Sequence, residues 1–392
     1  MTETGDSLPL PGEVLDTPAA TAPIVTETEP RPSPLVSSLV PHASSLVVQT
    51  SFIGDMVLTT PLIAELARRG PVDVVATPAS APLLANNPSV RDVIRYDKRG
   101  DAKGMYGLYR TAQTLKRRQG ESGDEERAVD VAYLAQGSVR SAMLALLAGI
   151  PQRVGFTTSA GRHLYTRRVR YREDRHHSER LWRLGAEDGS GAPDAAQLRP
   201  RLFPGDAEIA AVDALLREAG HATGEPLVVL APGSVWATKR WPYYPDLARR
   251  LAAGRRGWVA VVGGKPDAAL AREVAAAAPG GVIDATGRLS LLASAELIGR
   301  AAALVTNDSA PQHLASAMGT PTVTVFGPTV PEFGFGPLAP ARATLGHAGL
   351  ACRPCDRHGP RACPLGHWRC MREITADTVL DAVRGVAAAR TG

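Results

Sequence analysis

Three polar segments of this 392-residue chain carry residue types that could do chemistry, and each follows a short apolar, β-branched run. In the first, Thr50 to Asp55 (TSFIGD), Gly54 permits close backbone approach and Asp55 falls where a helix begins. An aspartate there caps the helix, worth about 1 kcal/mol. The same carboxylate, ionised at neutral pH and within reach of a hydroxyl, is what a general base requires. The second segment, Ala231 to Pro242 (APGSVWATKRWP), sets Gly233, Ser234 and Thr238 ahead of Lys239 and Arg240. Those cations could be surface charges, but glycine and hydroxyls before cations, after a buried strand, is also how a diphosphate cradle is built. The third runs from Thr306 to His313 (TNDSAPQH). A helix N-terminus presents unpaired N–H groups and about half a positive charge. Ser309 adds a hydroxyl, and His313, on the first turn, can donate to an anionic oxygen. By itself this third segment reads as a capped helix with a surface histidine; the matching loop around Lys239 favours a phosphate.

Two further groups of residues draw notice. Asp267 follows the second strand of the C-terminal half, where an acidic residue often binds a ribose. The four cysteines all fall near the end, as Cys352, Cys355, Cys363 and Cys370, with His358 and His367 interleaved. A CxxC with two more cysteines could hold a structural zinc, although the spacing is not that of a standard finger. No carboxylates cluster beside them, so a catalytic metal is not expected.

The elements that must position these residues are strands followed by helices. Ser45 to Gln49 reads as a buried strand, and Val57, Leu58, Leu62, Ile63 and Leu66 share one face of the helix behind it. Leu227 to Leu230 repeats the pattern before the Lys239 loop. Ala303 to Val305 repeats it before Asp308, with Gly319 ending the helix and Thr322 to Phe326 forming the next strand. Repeated strand–loop–helix alternation in both halves predicts an α/β chain of two doubly wound domains facing one another. The expected divisions are a disordered tail over 1–42, an N-terminal Rossmann-like domain over 43–205, and a C-terminal one over 206–392. The last contains the Cys-rich segment 352–370 and a final helix, Ala376 to Ala389, expected to pack back across the domain junction. Glu121 to Arg127 reads as a charged, solvated loop. The Arg- and His-crowded stretch from Arg162 to Arg180 reads as a solvated face or, on the rim that carries Asp55, as a contact for an anionic acceptor.

Composition bounds the function. A hydrophobic content of 44% and a charged content of 21% suit a soluble globular protein. A formal charge of +5 fits an acidic substrate or an anionic membrane surface without demanding nucleic acid. No apolar run approaches the ~18 residues that span a bilayer. The N-terminus lacks a basic stretch followed by an apolar one, so a cytoplasmic location is expected.

Four stretches together, SFIGDMVLTTPLI, APGSVWATKRWP, VTNDSAPQHLASAMGTPTVTVFGPT and CPLGHWRCM, resemble glycosyltransferase family 9, the ADP-heptose–lipopolysaccharide heptosyltransferases. The similarity covers essentially everything from Ser45 to the C-terminus. It implies a GT-B fold, two Rossmann-like domains about a deep cleft, and inverting, metal-independent transfer of a heptose from ADP-heptose with no cofactor. The acceptor implied is a lipid-linked, phosphorylated lipopolysaccharide core, with peripheral contact at the cytoplasmic face of the inner membrane. The family's catalytic aspartate falls on Asp55 and its lysine before Trp-Pro on Lys239. Ser234 and Thr238 would contact the phosphates, and Asp308, Ser309, Ala310 and His313 match the segment that holds the diphosphate. Ala310 stands where glycine is common, and the family's ribose carboxylate does not align cleanly with Asp267. Acceptor binding would fall to Arg99, Lys103 and Arg140 on the first domain's basic rim. Two rival readings remain: a GT-B transferase with another nucleotide sugar, and a non-catalytic, zinc-stabilised binding module.

Overall fold

The computed structural model describes residues 20–21, 25–26, 44–120, 128–187, 190–253 and 257–389. The expected tail, 1–42, lies outside the described residues apart from two strands of two residues, β1 (Ala20–Thr21) and β2 (Val25–Thr26). The expected charged loop 121–127 lies outside them entirely.

The N-terminal sheet has six strands: β3 (Ser45–Gln49), β4 (Val72–Ala76), β5 (Asp92–Arg95), β6 (Val131–Tyr133), β7 (Gln152–Phe156) and β8 (Arg167–Val169). All pairings are parallel, in the order β5-β4-β3-β6-β7-β8. In chain order that is third, second, first, fourth, fifth, sixth: the doubly wound arrangement, which reverses between β3 and β6. Helix α1 (Ile53–Ala67) buries Met56, Val57, Leu58, Leu62, Ile63 and Leu66. It tolerates Pro61 because the hydroxyl of Thr60 donates to the carbonyl of Val57 at 2.8 Å, replacing the N–H that proline lacks. Helices α2 (Gly104–Gly120), α3 (Val139–Leu147), α4 (His177–Gly185) and α5 (Ala195–Leu198) complete this half, with α4 packed along α1.

Helix α6 (Asp206–Glu218) leads to the second sheet. Its strands are β9 (Leu227–Ala231), β10 (Trp258–Val261), β11 (Val282–Asp284), β12 (Ala303–Asn307), β13 (Thr322–Phe326) and β14 (Ala341–Gly346). They pair in parallel as β11-β10-β9-β12-β13-β14, the same order as the first sheet, and β1 and β2 pair antiparallel to β14. The intervening helices are α7 (Tyr244–Ala253), α8 (Ala268–Ala277), α9 (Leu291–Arg300) and α10 (Ala310–Met318). Gly319 ends α10 at φ 71°, a left-handed position that glycine takes without strain. One apolar core runs continuously from Val47 and Leu62 of the first half to Leu297 and Leu314 of the second.

One expectation fails here and another holds only in part. Helix α11 (Arg369–Arg372) is followed by α12 (Ala376–Ala388), which does not cross the junction. It lies on α7 and on strands β12 to β14 of its own half, burying Val379, Val383 and Val386. The Arg- and His-rich stretch is solvated over most of its length, with Arg162, His163, Arg168, Arg170 and Arg175 exposed, but its end enters α4, where Ser178, Glu179 and Arg180 are buried. Arg180 is only 2% exposed because its guanidinium donates to the carbonyls of Arg172, Glu173 and Phe333 and to the hydroxyl of Tyr171.

Candidate active site

The segments leaving the first and fourth strands of each sheet converge on one cavity of about 510 Å³. Gln49 to Asp55 enters it after β3 and Ala135 to Gly137 after β6. Ser234 to Lys239 enters after β9, and Asp308 to His313 after β12. Both topological switch points therefore open into the same space, where doubly wound sheets bind ligands. A larger recess of about 870 Å³, around Asp213, His221 and Arg300, shares none of these residues.

On the first wall, Asp55 sits at the third position of α1. Its Oδ2 accepts the N–H of Phe52 at 3.3 Å, and Nε2 of His177 lies 3.7 Å from its Oδ1. The loop is held from below: Lys98 donates to the carbonyl of Thr50 at 2.7 Å, and Gln49 accepts the N–H of Ser51. Burial, then the neighbouring Arg99 and Arg140, lowers the Lys98 pKa.

On the opposite wall, Nζ of Lys239 lies 2.6 Å from Oδ2 of Asp308. Thr329 donates to the same oxygen at 2.7 Å, and Gln312 donates to Oδ1 at 3.0 Å. Asn307 ties the two loops of this half together. Its side chain accepts from the Trp241 N–H and the Tyr244 hydroxyl and donates to the carbonyl of Pro232. His313 is buried, its Nδ1 has no partner among the described residues, and burial pushes its pKa down to about 4. A neutral imidazole therefore faces the space between the walls. The two walls touch here: a Cβ added to Gly54 would stand 2.8 Å from Cδ2 of His313.

Of the residues expected at the site, Asp55, Ser234, Lys239, Asp308, Ser309, Ala310 and His313 all line this cavity. Others are placed differently. Thr238 is buried, with its hydroxyl donated to the carbonyl of Pro360 at 2.5 Å, so it is not free to meet a phosphate. Arg140 does not line the cavity; its Nε donates to the Tyr96 hydroxyl and its Nη2 to the carbonyls of Ala102 and Gly104, which fixes the start of α2 against α3. Asp267 stands outside the cavity, its carboxylate accepting the Gly264 N–H and abutting Gly233. Arg99 and Lys103 are exposed on the rim of the N-terminal half and do not line the cavity.

Phe333, Phe335 and Arg357 line the cavity with no signal in the sequence, whereas His177 lay within the Arg- and His-crowded stretch and His358 among the cysteines. His177 arrives on α4, and Phe333 and Phe335 arrive from the turn after β13. Arg357 and His358 come from the Cys-rich segment, where the His358 ring lies between Phe52 (6.5 Å) and Trp236 (6.2 Å). Arg353 anchors that segment by donating to the carbonyls of Phe326, Gly327, Thr329 and His347. All four cysteines are free thiols; Sγ of Cys352 lies 3.8 Å from Nε2 of His367. Among the described residues, no three Cys, His, Asp or Glu side chains gather as a metal would require.

Two like-ordered α/β domains sharing one cleft at their switch points make a GT-B fold, and solved structures of that fold superpose on the chain. A glycosyltransferase family 9 structure from Veillonella parvula does so with a TM-score of 0.76 at 21% identity, covering 89% of this chain and 98% of that one. The E. coli ADP-heptose lps heptosyltransferase II does so with a TM-score of 0.70 at 24% identity, over 89% and 100%. The family model for glycosyltransferase family 9 (heptosyltransferase) matches residues 125–366. The chain belongs to that family and is a glycosyltransferase. Among curated relatives, lipopolysaccharide heptosyltransferase 1 of Pseudomonas aeruginosa is 29% identical over 328 residues, 79% of this chain and 85% of its own.

Proposed function

We propose that this enzyme transfers a heptose from ADP-heptose to a lipid-linked, phosphorylated lipopolysaccharide core, with inversion and without a metal. One observation carries the proposal: Asp55 of the first domain and Lys239 of the second line the same cleft. That placement supports reading one as a general base and the other as a leaving-group cation on opposite walls. The names of the relatives support the sugar and the acceptor class, and the E. coli structure's ADP-heptose designation supports the donor.

In this reading Asp55 takes the proton of an acceptor hydroxyl. The freed oxygen attacks the anomeric carbon in line, forming the new C–O bond as the bond to the diphosphate breaks. Lys239, leaving Asp308 to its Thr329 and Gln312 donors, offsets the charge that grows on the departing ADP. Ser234, Ser309 and the N–H groups at the start of α10, beside neutral His313, hold the diphosphate. Arg99 and Lys103 on the rim meet the phosphorylated acceptor. The enzyme works in the cytoplasm at the inner face of the membrane; among the described residues no helix is long and apolar enough to cross it.

The test is Asp55→Ala. Transfer should be abolished while ADP-heptose still binds by calorimetry. Lost donor binding with unchanged transfer per bound donor would refute the base assignment. A thermal-shift panel of ADP, UDP, GDP and their sugar conjugates checks the donor, since a ligand at a hundredfold excess over Kd stabilises by about 2.7 kcal/mol. Selective stabilisation by another nucleotide would replace ADP-heptose and leave the fold and the mechanism standing.

A further inference from the structure

We infer that His177 is the positioning residue of Asp55, a neutral N–H donor that aims the carboxylate and ties its aim to the C-terminal domain. The inference rests on the reading of Asp55 as the base. His177 is the first residue of α4, and α4 packs along α1, the helix that carries Asp55. The imidazole is fixed from the other domain as well. Its backbone N–H donates to the carbonyl of Gly334 at 2.7 Å, and its ring lies 4.8 Å from the Phe335 ring, tilted by 33°. Two neighbours on the same stretch reach the same turn: His176 through Nε2 to the carbonyl of Gly336 at 3.0 Å, and Arg180 to that of Phe333 at 3.2 Å.

The side chain of His177 keeps 13% of its surface open, and it lines the cleft. Of its two ring nitrogens, Nε2 lies 3.7 Å from Oδ1 of Asp55, while Nδ1 is buried with no partner among the described residues. A carboxylate offers only lone pairs, so the tautomer that suits this contact carries its proton on Nε2 and leaves Nδ1 bare. Burial holds the ring neutral, pushing its pKa down to about 3. Neutrality matters to the chemistry. An imidazolium would form an ion pair with Asp55 and weaken it as a base, whereas a neutral N–H orients the carboxylate and leaves its charge for the acceptor proton. The other oxygen, Oδ2, is already held by the N–H of Phe52. At 3.7 Å the Nε2–Oδ1 contact stands just outside hydrogen-bond length, and a small closure of it would give the carboxylate a second donor that fixes its plane. Because His177 is gripped by the turn at 334–335, movement of the C-terminal domain would turn the base.

Four variants at one position test this, with transfer from ADP-heptose measured at neutral pH and thermal midpoints recorded for each. His177→Phe keeps a ring against Phe335 but has no donor, and His177→Ala removes both. Each should lower kcat by about 10- to 100-fold, the range of one lost charge-assisted hydrogen bond, with the donor KM within about twofold. His177→Gln places an amide N–H near the position of Nε2 and should restore kcat to within about threefold of the parent. His177→Asn places its amide near Nδ1 and should not. A kcat within about twofold of the parent for His177→Phe, equal recovery by Gln and Asn, or a loss confined to KM would each overturn the inference. Asp55→Asn in the same assay separates the two claims. If it stays active, the base assignment fails; if it is dead while His177→Phe is normal, only the role of His177 fails.

Discussion

Cδ2 of His313 packs against the Cα of Gly54, so that the first turns of α1 and α10 meet across the cleft with no room for a methyl group between them. The helix that carries the candidate base and the helix whose N-terminus faces the same space are thus in direct contact through one residue without a side chain. Gly54→Ala should therefore act on both walls. A Cβ at 2.8 Å must displace the imidazole or spread the helices. Overpacking of this kind costs about 1–3 kcal/mol. We expect a lower thermal midpoint together with a loss of transfer larger than the loss of donor affinity. An alanine variant with parental stability and turnover would mean that the contact is slack.

The Lys239–Asp308 pair should respond asymmetrically to substitution. Removing Lys239 leaves Asp308 with the Thr329 and Gln312 donors, so Lys239→Ala should fold normally while losing about 100-fold or more in kcat. Removing the carboxylate leaves an ammonium with 13% of its side chain exposed and takes the acceptor from two other residues. Asp308→Ala should then lower stability by about 1–3 kcal/mol, after discounting for the water that still reaches the pair. Denaturant unfolding of the two variants side by side checks the order.

Acid should weaken the fold in a defined window. Burial holds His176 at about 4, His177 at about 3 and His313 at about 4, all below the ordinary value near 6.5. Between those values and 6.5 the unfolded chain binds protons that the native state refuses, so stability rises with pH across that range. The contribution is fully present above about pH 6.5 and is lost as pH falls toward 4. Each ring adds up to about 1.4 kcal/mol per pH unit. The thermal midpoint should fall steeply from pH 6.5 to 4.5, and His176→Gln, which keeps a donor for Gly336, should flatten that slope. A flat profile would show that the rings are protonated in the fold.

Arg353 should govern the order of the Cys-rich segment rather than the chemistry. Its guanidinium holds four carbonyls, and the Cys355 N–H donates to Pro328 at 2.8 Å. Arg353→Ala leaves those acceptors short of partners, at a cost of about 2–4 kcal/mol. Cys352 should then alkylate faster and the segment should be cleaved sooner by protease. His358 lines the cleft from the same segment, so donor affinity should weaken as well. An unchanged alkylation rate would argue that the anchor lies elsewhere.

What the sequence alone determined is what local physics encodes. Apolar, β-branched runs broken by glycine and followed by a 3.6-residue period mark β3–α1, β9 and its polar loop, and β12–α10, and with them the two-domain architecture. Because ligands gather at the C-terminal ends of such strands, the polar residues next in sequence could be named: Asp55, Ser234, Lys239, Asp308 and His313 all fall in one cleft. Tertiary structure decided where each polar side chain spends its hydrogen bonds. Thr238 meets a carbonyl 122 positions away, and Arg140 meets a tyrosine 44 positions earlier. Neither distance leaves a trace in local pattern. Helix α4 escaped notice because its charged residues imitate a solvated face; Arg180 is buried only because four acceptors from both domains surround it. His177 came to the site by the same route. A contact between elements far apart in the chain is set by how two sheets pack, and that packing is a property of the whole fold.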